Sequence, residues 1–482
     1  MSRSRQSLAY ITAGAAGMYC GSCMHDNTLA RALSRHGLDV LLIPTYTPIR
    51  TDEQNFSIDQ VFFGGINVYL DQVIPGYRFL PDWITRWLDQ PKLIRWATAR
   101  ETAINPRSLG ALTVSMLRGT AGNQRREVEK LCRWLKQEVN PDLVILTNML
   151  IAGCTPRIKE KLGVPVLVTL QGDDVFVEFL PEPYRGQVLE NIRRLVQVVD
   201  GFLVHSHYYA HFMQDYFSIP RDKLHVVPLG IDLAGFSSRS MENRAVTEPL
   251  SLDAASGHLA EQTTKPAGTP TPSQVDSAIG GARIETGPPS PPTIGYFARL
   301  APEKGLHLLV DAFIRLRSRP EMQSVRLRIA GWMGEGHHAY AEEQFRKLHA
   351  AGLDTAYEYA GSIDRDAKIH FLQSLDLLCV PTVYREPKGL FVLEALAAGI
   401  PVLQPDHGAF PELISATGGG KLFPAGNVDG LSDELARLIL DRPTLRQLGR
   451  QGQESVYTRF HADAMAEGTL RILKPFLGHT GS

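Results

Sequence analysis

The sequence predicts an α/β protein built from two Rossmann-like domains. Three observations carry that expectation. The N-terminal end reads as strand, glycine loop, helix, strand: LAYIT at residues 8–12, the loop GAAGMYCGSC, a helix over 26–36 and the apolar run DVLLIP at 39–44. The same alternation restarts at Thr293, with TIGYFA, the loop RLAPEKG and a helix over 306–317. Between the two, residues 237–292 contain no Phe, Tyr or Trp and are rich in Ser, Thr, Pro, Gly and Ala. Such a composition cannot bury a core, so a disordered interdomain insertion is expected there.

Composition agrees with this reading. A chain of 482 residues has room for two or three domains. Its 44 % hydrophobic and 21 % charged content is that of a soluble globular protein, and a net charge of −1 gives no reason to expect nucleic acid as a partner. Five cysteines in so long a chain do not make a disulfide scaffold. The first residues carry charge without a following apolar run. Neither a signal peptide nor a membrane-spanning helix is expected, and the expected location is cytoplasmic.

The first domain is expected over residues 1–236. The spacing of Gly14, Gly17 and Gly21 does not match the dinucleotide fingerprint, which disfavours a nicotinamide cofactor. Gly17 is the glycine best placed for a close backbone approach to a ligand. Asp26 either faces such a ligand or simply caps its helix. Cys20 and Cys23 form a lone Cys-x-x-Cys at a helix start. No second pair or histidine set completes a zinc site, so packing is expected of them. Further on, helix 126–138, strand 143–146 and strand 165–170 restore the alternation. The last of these ends at Gln171, Gly172, Asp173 and Asp174. Gln171 can hydrogen-bond a hydroxyl, and either aspartate can take a proton from one; the pair also reads as a plain turn opening a helix.

The second domain is expected over 293–460, with strands 325–330 and 357–360 and a helix at 432–448. Its centre is residues 384–403, YREPKGLFVLEALAAGIPVL. Pro387 and Gly389 break any helix across the gap between Glu386 and Glu394, so Glu386 belongs to a loop and Glu394 to the helix that follows. The amides of Lys388, Gly389 and Leu390 open that helix, where unpaired donors and the helix dipole suit a diphosphate. Carboxylates cannot hold phosphate, but they accept hydrogen bonds from diols. Arg299 and Lys304 flank the earlier loop RLAPEKG, where two cations can neutralise a diphosphate leaving group. As isolated features, the glutamate spacing is also that of an ordinary amphipathic helix, and the two cations are also ordinary solvated charges.

These stretches resemble the signature of retaining glycosyltransferases of family 4, the group that includes glycogen and sucrose synthases. The resemblance is strongest over residues 293–305 and 384–412 and weakest over 55–124. It implies the GT-B fold, with two Rossmann-like domains facing a cleft and a final helix, 461–482, crossing back to the first. It implies that Glu386 contacts the donor sugar and Glu394 the nucleotide ribose, while Arg299 and Lys304 hold the leaving phosphates. Backbone at Gly361 and Ile363 would meet the base. The implied donor is a UDP- or GDP-linked sugar and the acceptor a hydroxyl group, on a glycan, a lipid or a small molecule. The adjacent aspartates are not the spaced pair of metal-dependent glycosyltransferases, so no metal is expected. The family often carries a histidine where Gln171 stands, and this departure favours a second reading, a nucleotide-sugar-binding module without turnover. Residues 55–124 read as a helical insertion over the acceptor side. Trp83, Trp87 and the scattered basic residues there also suit peripheral contact with the inner membrane face.

Overall fold

The protein is described by a computed structural model covering residues 5–14, 21–59, 61–62, 106–236 and 291–478. Strands β1 (Ser7–Thr12), β2 (Asp39–Pro44), β3 (Leu143–Leu146), β4 (Val166–Thr169), β5 (Gly201–Val204) and β6 (Leu224–Val226) form one sheet, in the order β2-β1-β3-β4-β5-β6. Strands β7 (Thr293–Phe297), β8 (Arg326–Ala330), β9 (Tyr357–Tyr359), β10 (Leu377–Cys379), β11 (Val402–Pro405) and β12 (Gly420–Phe423) form a second, in the order β12-β11-β10-β7-β8-β9. All pairings within them are parallel. Strands covered on both faces by helices read as continuous apolar runs, and LVIL, VLVT and GFLV are buried at every position.

One apolar core fills one face of the first sheet, around Ile11, Val144, Val168 and Phe202. The other runs from the opposite face, at Tyr10 and Ile145, into the second domain. The helix Ala462–Leu477 lies in this second core and helps to join the two domains. It packs against the helix Gly21–Arg35, and Arg35 pairs with Asp463 at 2.8 Å. At its start the backbone amide of Ala462 donates to the carbonyl of Ile231, in the segment after β6, at 2.9 Å.

The topology fixes where a ligand can sit. In each sheet the strand order reverses beside the first strand, between β1 and β3 and between β7 and β10. The crevice outside the strand ends at such a point is the usual ligand site of open parallel sheets. The loops after β7 and β10 touch there. Gly305 has φ +74°, and a Cβ on it would stand 1.8 Å from the Pro381 carbonyl oxygen. Only glycine permits that approach.

Some boundaries differ from the sequence reading. The first helix is Gly21–Arg35 and begins five residues before Asp26, so Asp26 lies inside it and is not its cap. The small residues Gly21, Ser22 and Cys23 read as loop but continue the helical turn. Strand β10 is shorter than the apolar run 375–383, LDLLCVPTV, which reads as a strand, because Pro381 cannot donate to the ladder. Of the expected 55–124 insertion, helix Pro106–Leu117 packs on helix Tyr184–Val198, while residues 63–105 lie outside the described residues. So do Gly17, Cys20 and residues 237–290. Among the described residues no helix is long and apolar enough to cross a membrane.

Candidate active site

A cavity of about 640 Å³ opens between the domains at the strand ends. Arg299 and Lys304 reach it from the loop after β7, and Tyr384 and Glu386 from the loop after β10. Glu386 is 5 % exposed. Its Oε2 accepts Lys304 Nζ at 2.9 Å and the Tyr384 hydroxyl. Its Oε1 accepts the Gly389 amide at 3.3 Å. Burial opposes the charge of this carboxyl, but Lys304, Tyr384 and the Gly389 amide outweigh burial and hold it below the ordinary glutamate range. Lys304 also donates to Tyr384 Oη at 2.5 Å, so lysine, tyrosine and glutamate form a closed triangle. Arg299 is half-exposed at the mouth and pairs with Glu303 at 3.0 Å.

Helix Leu390–Ala397 starts at Gly389, whose φ of +72° makes the sharp entry from the loop. Leu390 and Lys388 line the cavity; the Gly389 amide, expected to meet a phosphate, is directed at Glu386 instead. Glu394, one turn in, also lines the cavity, and its Oε1 accepts Lys368 Nζ at 2.6 Å. Lys368 reaches equally to Asp52 of the first domain, at 2.5 Å. Burial works against the Lys368 charge, but the Glu394 and Asp52 carboxylates raise its pKa above the lysine norm. Ser362 and Ile363 line the far wall with Trp332, and the Gly361 carbonyl accepts the Gly331 amide at 2.9 Å, which sets that wall in place.

The first domain contributes Gly21, Ser22, Gln171 and a short apolar lip of Val175, Phe176 and Phe179, the last 73 % exposed. Gln171 Oε1 accepts Lys388 Nζ at 2.8 Å, so the two domains touch directly across the floor. The structure sets Asp26, Asp173 and Asp174 behind that floor, and none of the three lines the cavity. Asp26 is a buried hub that accepts Tyr10 Oη at 2.7 Å, Thr12 Oγ1 at 2.8 Å, Gln171 Nε2 at 2.9 Å and the Thr147 hydroxyl. Burial opposes its charge, but donors that include His25, Thr147 and Tyr10 keep its pKa lowered. Asp173 accepts the amides of Met149 at 2.5 Å and Gln171 at 3.0 Å, and burial pushes its pKa up to about 6. Asp174 accepts the Tyr209 hydroxyl at 2.6 Å. Their expected place beside an acceptor is therefore corrected: the turn after β4 folds Asp173 and Asp174 inward, and Asp26 faces inward from its helix, each satisfying buried donors.

The Asp26 hub sets the position of Gln171. Asp26→Ala leaves at least four buried donors without their acceptor and is expected to cost about 3–5 kcal/mol of stability, read from urea unfolding. A loss below about 1 kcal/mol would show that water replaces the carboxylate.

Sequence reading missed three site residues. Tyr384 stood within the recognised stretch, but nothing local showed that its hydroxyl turns onto Glu386. Lys368 sits on a helix, Arg365–Gln373, where a surface lysine is the ordinary expectation. Asp52 lies in an irregular loop that Asn27 holds, accepting the Phe56 amide at 2.8 Å and donating to Gln54 O at 3.0 Å. The domains are clamped further by Glu412, whose carboxylate accepts the His207 and Tyr208 amides at 3.0 Å each and so caps a helix of the opposite domain. Among the described residues there is no group of three or more His, Cys, Asp or Glu able to hold a metal ion.

Comparison with known proteins agrees with this architecture. The family described as Glycosyl transferases group 1 matches residues 283–455, and Glycosyltransferase Family 4 matches residues 110–234. A phosphatidyl-myo-inositol mannosyltransferase of Mycobacterium leprae is 29 % identical over 199 residues, 41 % of this chain and 50 % of the relative. The chain thus spans about half the length of the first curated relatives it matches. Sucrose-phosphate synthase from Thermosynechococcus elongatus superposes with a TM-score of 0.67 at 17 % identity, over 99 % of this chain and 100 % of that one. Anabaena HepE, solved in complex with UDP and glucose, gives 0.61 at 16 % identity, over 98 % and 100 %. With two family matches, one on each side of the interdomain stretch, and the shared two-domain architecture, the chain belongs to the family 4 glycosyltransferases of the GT-B fold.

Proposed function

We propose that the protein transfers a glycosyl group from a nucleoside diphosphate sugar to a hydroxyl acceptor, with retention of anomeric configuration. The observation that carries this reading is the meeting of Arg299, Lys304, Glu386 and Glu394 in one interdomain cavity. Glu394 accepts hydrogen bonds from the ribose diol and Glu386 from the sugar hydroxyls. Arg299 and Lys304 face the diphosphate, together with the start of the helix Leu390–Ala397. The bond between the anomeric carbon and the phosphate oxygen breaks as negative charge grows on the diphosphate, and the two cations stabilise that charge. The acceptor oxygen bonds to the anomeric carbon on the same face, and its proton passes to the departing phosphate oxygen. No protein nucleophile and no metal ion is assigned a step.

Glu386 acts as a keystone in this scheme. Its carboxylate stays ionised and fixes Lys304, so a sugar hydroxyl entering the triangle meets an acceptor already in place. The apolar lip of Val175, Phe176 and Phe179 stands on the acceptor side. The base, uracil or guanine, is met at Ile363 and Ser362, beside the Gly361 backbone. A panel of UDP- and GDP-linked sugars tests the reading, with thermal shift for binding and release of free diphosphate for turnover. At least one donor is expected to raise Tm by several degrees at saturating concentration, because a ligand that binds only the folded chain stabilises it by mass action. A flat response to the whole panel would overturn it.

A further inference from the structure

Lys368 is 2 % exposed, and its ammonium lies 2.6 Å from Glu394 Oε1 and 2.5 Å from Asp52 Oδ2. Lys368 and Glu394 belong to the second domain, Asp52 to the loop after β2 in the first, and all three line the cavity. A lysine on a helix surface ordinarily keeps its charged head in water. Burying this one between two carboxylates costs hydration and side-chain freedom, which the fold tolerates only with good pairing. Among the described residues Lys368 is the one hydrogen-bond donor to Glu394, and it takes only Oε1. The cation therefore fixes how the carboxylate faces the cavity and leaves Oε2 for a ligand.

The surroundings carry more carboxylates than cations. Arg365, one turn before Lys368, lies 3.6 Å from Glu53 and 3.5 Å from Asp232, and Arg31 pairs with both of those carboxylates. Across this seam the carboxylates of Asp52, Glu53, Asp232 and Glu394 face the three cations Arg31, Arg365 and Lys368. A neutral vicinal diol brings hydroxyl donors to such a site without adding charge; a phosphate would add to the excess.

We propose that Lys368 is a positioning residue that orients Glu394 toward the nucleoside diol and, through Asp52, ties the first domain to the occupied donor site. This rests on the reading of Glu394 as the ribose ligand. Asp52 completes the buried pairing only when the domains are together, so a ligand that organises Lys368 and Glu394 favours that arrangement, and closure in turn favours the ligand.

The test is calorimetric binding of UDP, GDP and their 2′,3′-dideoxy counterparts to the full chain. Wild type is expected to prefer the ribose form of its cognate nucleotide by about 10- to 100-fold, the worth of hydrogen bonds to a charged acceptor. Lys368→Met brings that ratio to within about threefold, and Lys368→Arg restores most of it. Asp52→Asn keeps the ratio while weakening both forms equally, by about tenfold, as loss of closure requires. If Lys368→Met does not fold, the double variant with Asp52→Asn removes one buried charge of each sign and is expected to show the same loss of ratio. An unchanged ratio in the Met variant, or an Asp52→Asn protein with wild-type affinity, overturns the proposal. Wild type that binds neither diphosphate strikes the donor reading itself, whereas binding with a ratio indifferent to Lys368 strikes only this inference.

Discussion

Glu386→Ala is expected to abolish transfer, and Glu386→Gln to lower kcat by about 10²- to 10³-fold, the usual cost of removing one preorganised electrostatic contact. The two variants separate two effects. Alanine leaves the Lys304 ammonium and the Tyr384 hydroxyl facing an empty space, so part of its loss comes from a displaced cation. Glutamine keeps an oxygen for Lys304 but lowers its pull and presents a donor where the sugar hydroxyls require an acceptor. Its melting temperature should therefore stay within a few degrees of wild type, since a buried hydrogen bond is kept while one charge is lost. Measured turnover against the cognate donor decides the matter: a Gln variant of undiminished kcat removes Glu386 from the reaction. Because the folded pKa of Glu386 is depressed, its carboxylate is charged throughout the neutral range and is lost only as pH falls below the ordinary glutamate value. An activity loss between pH 6 and 8 would thus belong to another group.

Lys304→Ala is expected to reduce kcat by a comparable factor, about 10²- to 10³-fold, with a smaller change in donor KM. The split follows from timing. The diphosphate is already anionic when it binds, but charge on the bridging oxygen grows only as the glycosidic bond breaks, and a cation fixed by Glu386 and Tyr384 needs no reorganisation to meet it. Lys304→Arg should recover part of the rate, limited by a guanidinium that does not fit the triangle. Steady-state kinetics with a saturating acceptor reads both. A rise in KM at unchanged kcat would make Lys304 a binding residue and would transfer the leaving-group role to Arg299 and the helix start.

Much of this site could be read from the chain because its chemistry is local. Arg299 and Lys304 share one short loop, and Glu386 and Glu394 share one loop–helix unit. Each unit follows an apolar run of strand length, and β7 and β10, which those runs form, are neighbours. What could not be read depends on contacts between residues far apart in sequence. Lys368 and Asp52 are separated by most of both domains, and neither sits in a pattern that distinguishes a buried ion from a surface one. Asp26 misled for a related reason. Its residue type suits a helix cap, but Tyr10, Thr12, Thr147 and Gln171 converge on it only once β1, β3 and β4 lie side by side. Composition assigned the stretch 237–292 a character but no geometry.

The division of labour between the two sheets bears on how such a protein can be re-engineered. Arg299, Lys304, Glu386 and Glu394 come to the cavity from one half of the chain, and the apolar lip of Val175, Phe176 and Phe179 from the other. A chimera that grafts a different N-terminal half onto residues 293–460 should inherit the donor preference and exchange the acceptor preference. The graft must carry partners for Lys368, Lys388 and Glu412, because an incoming half lacking them would leave charges stranded at the join.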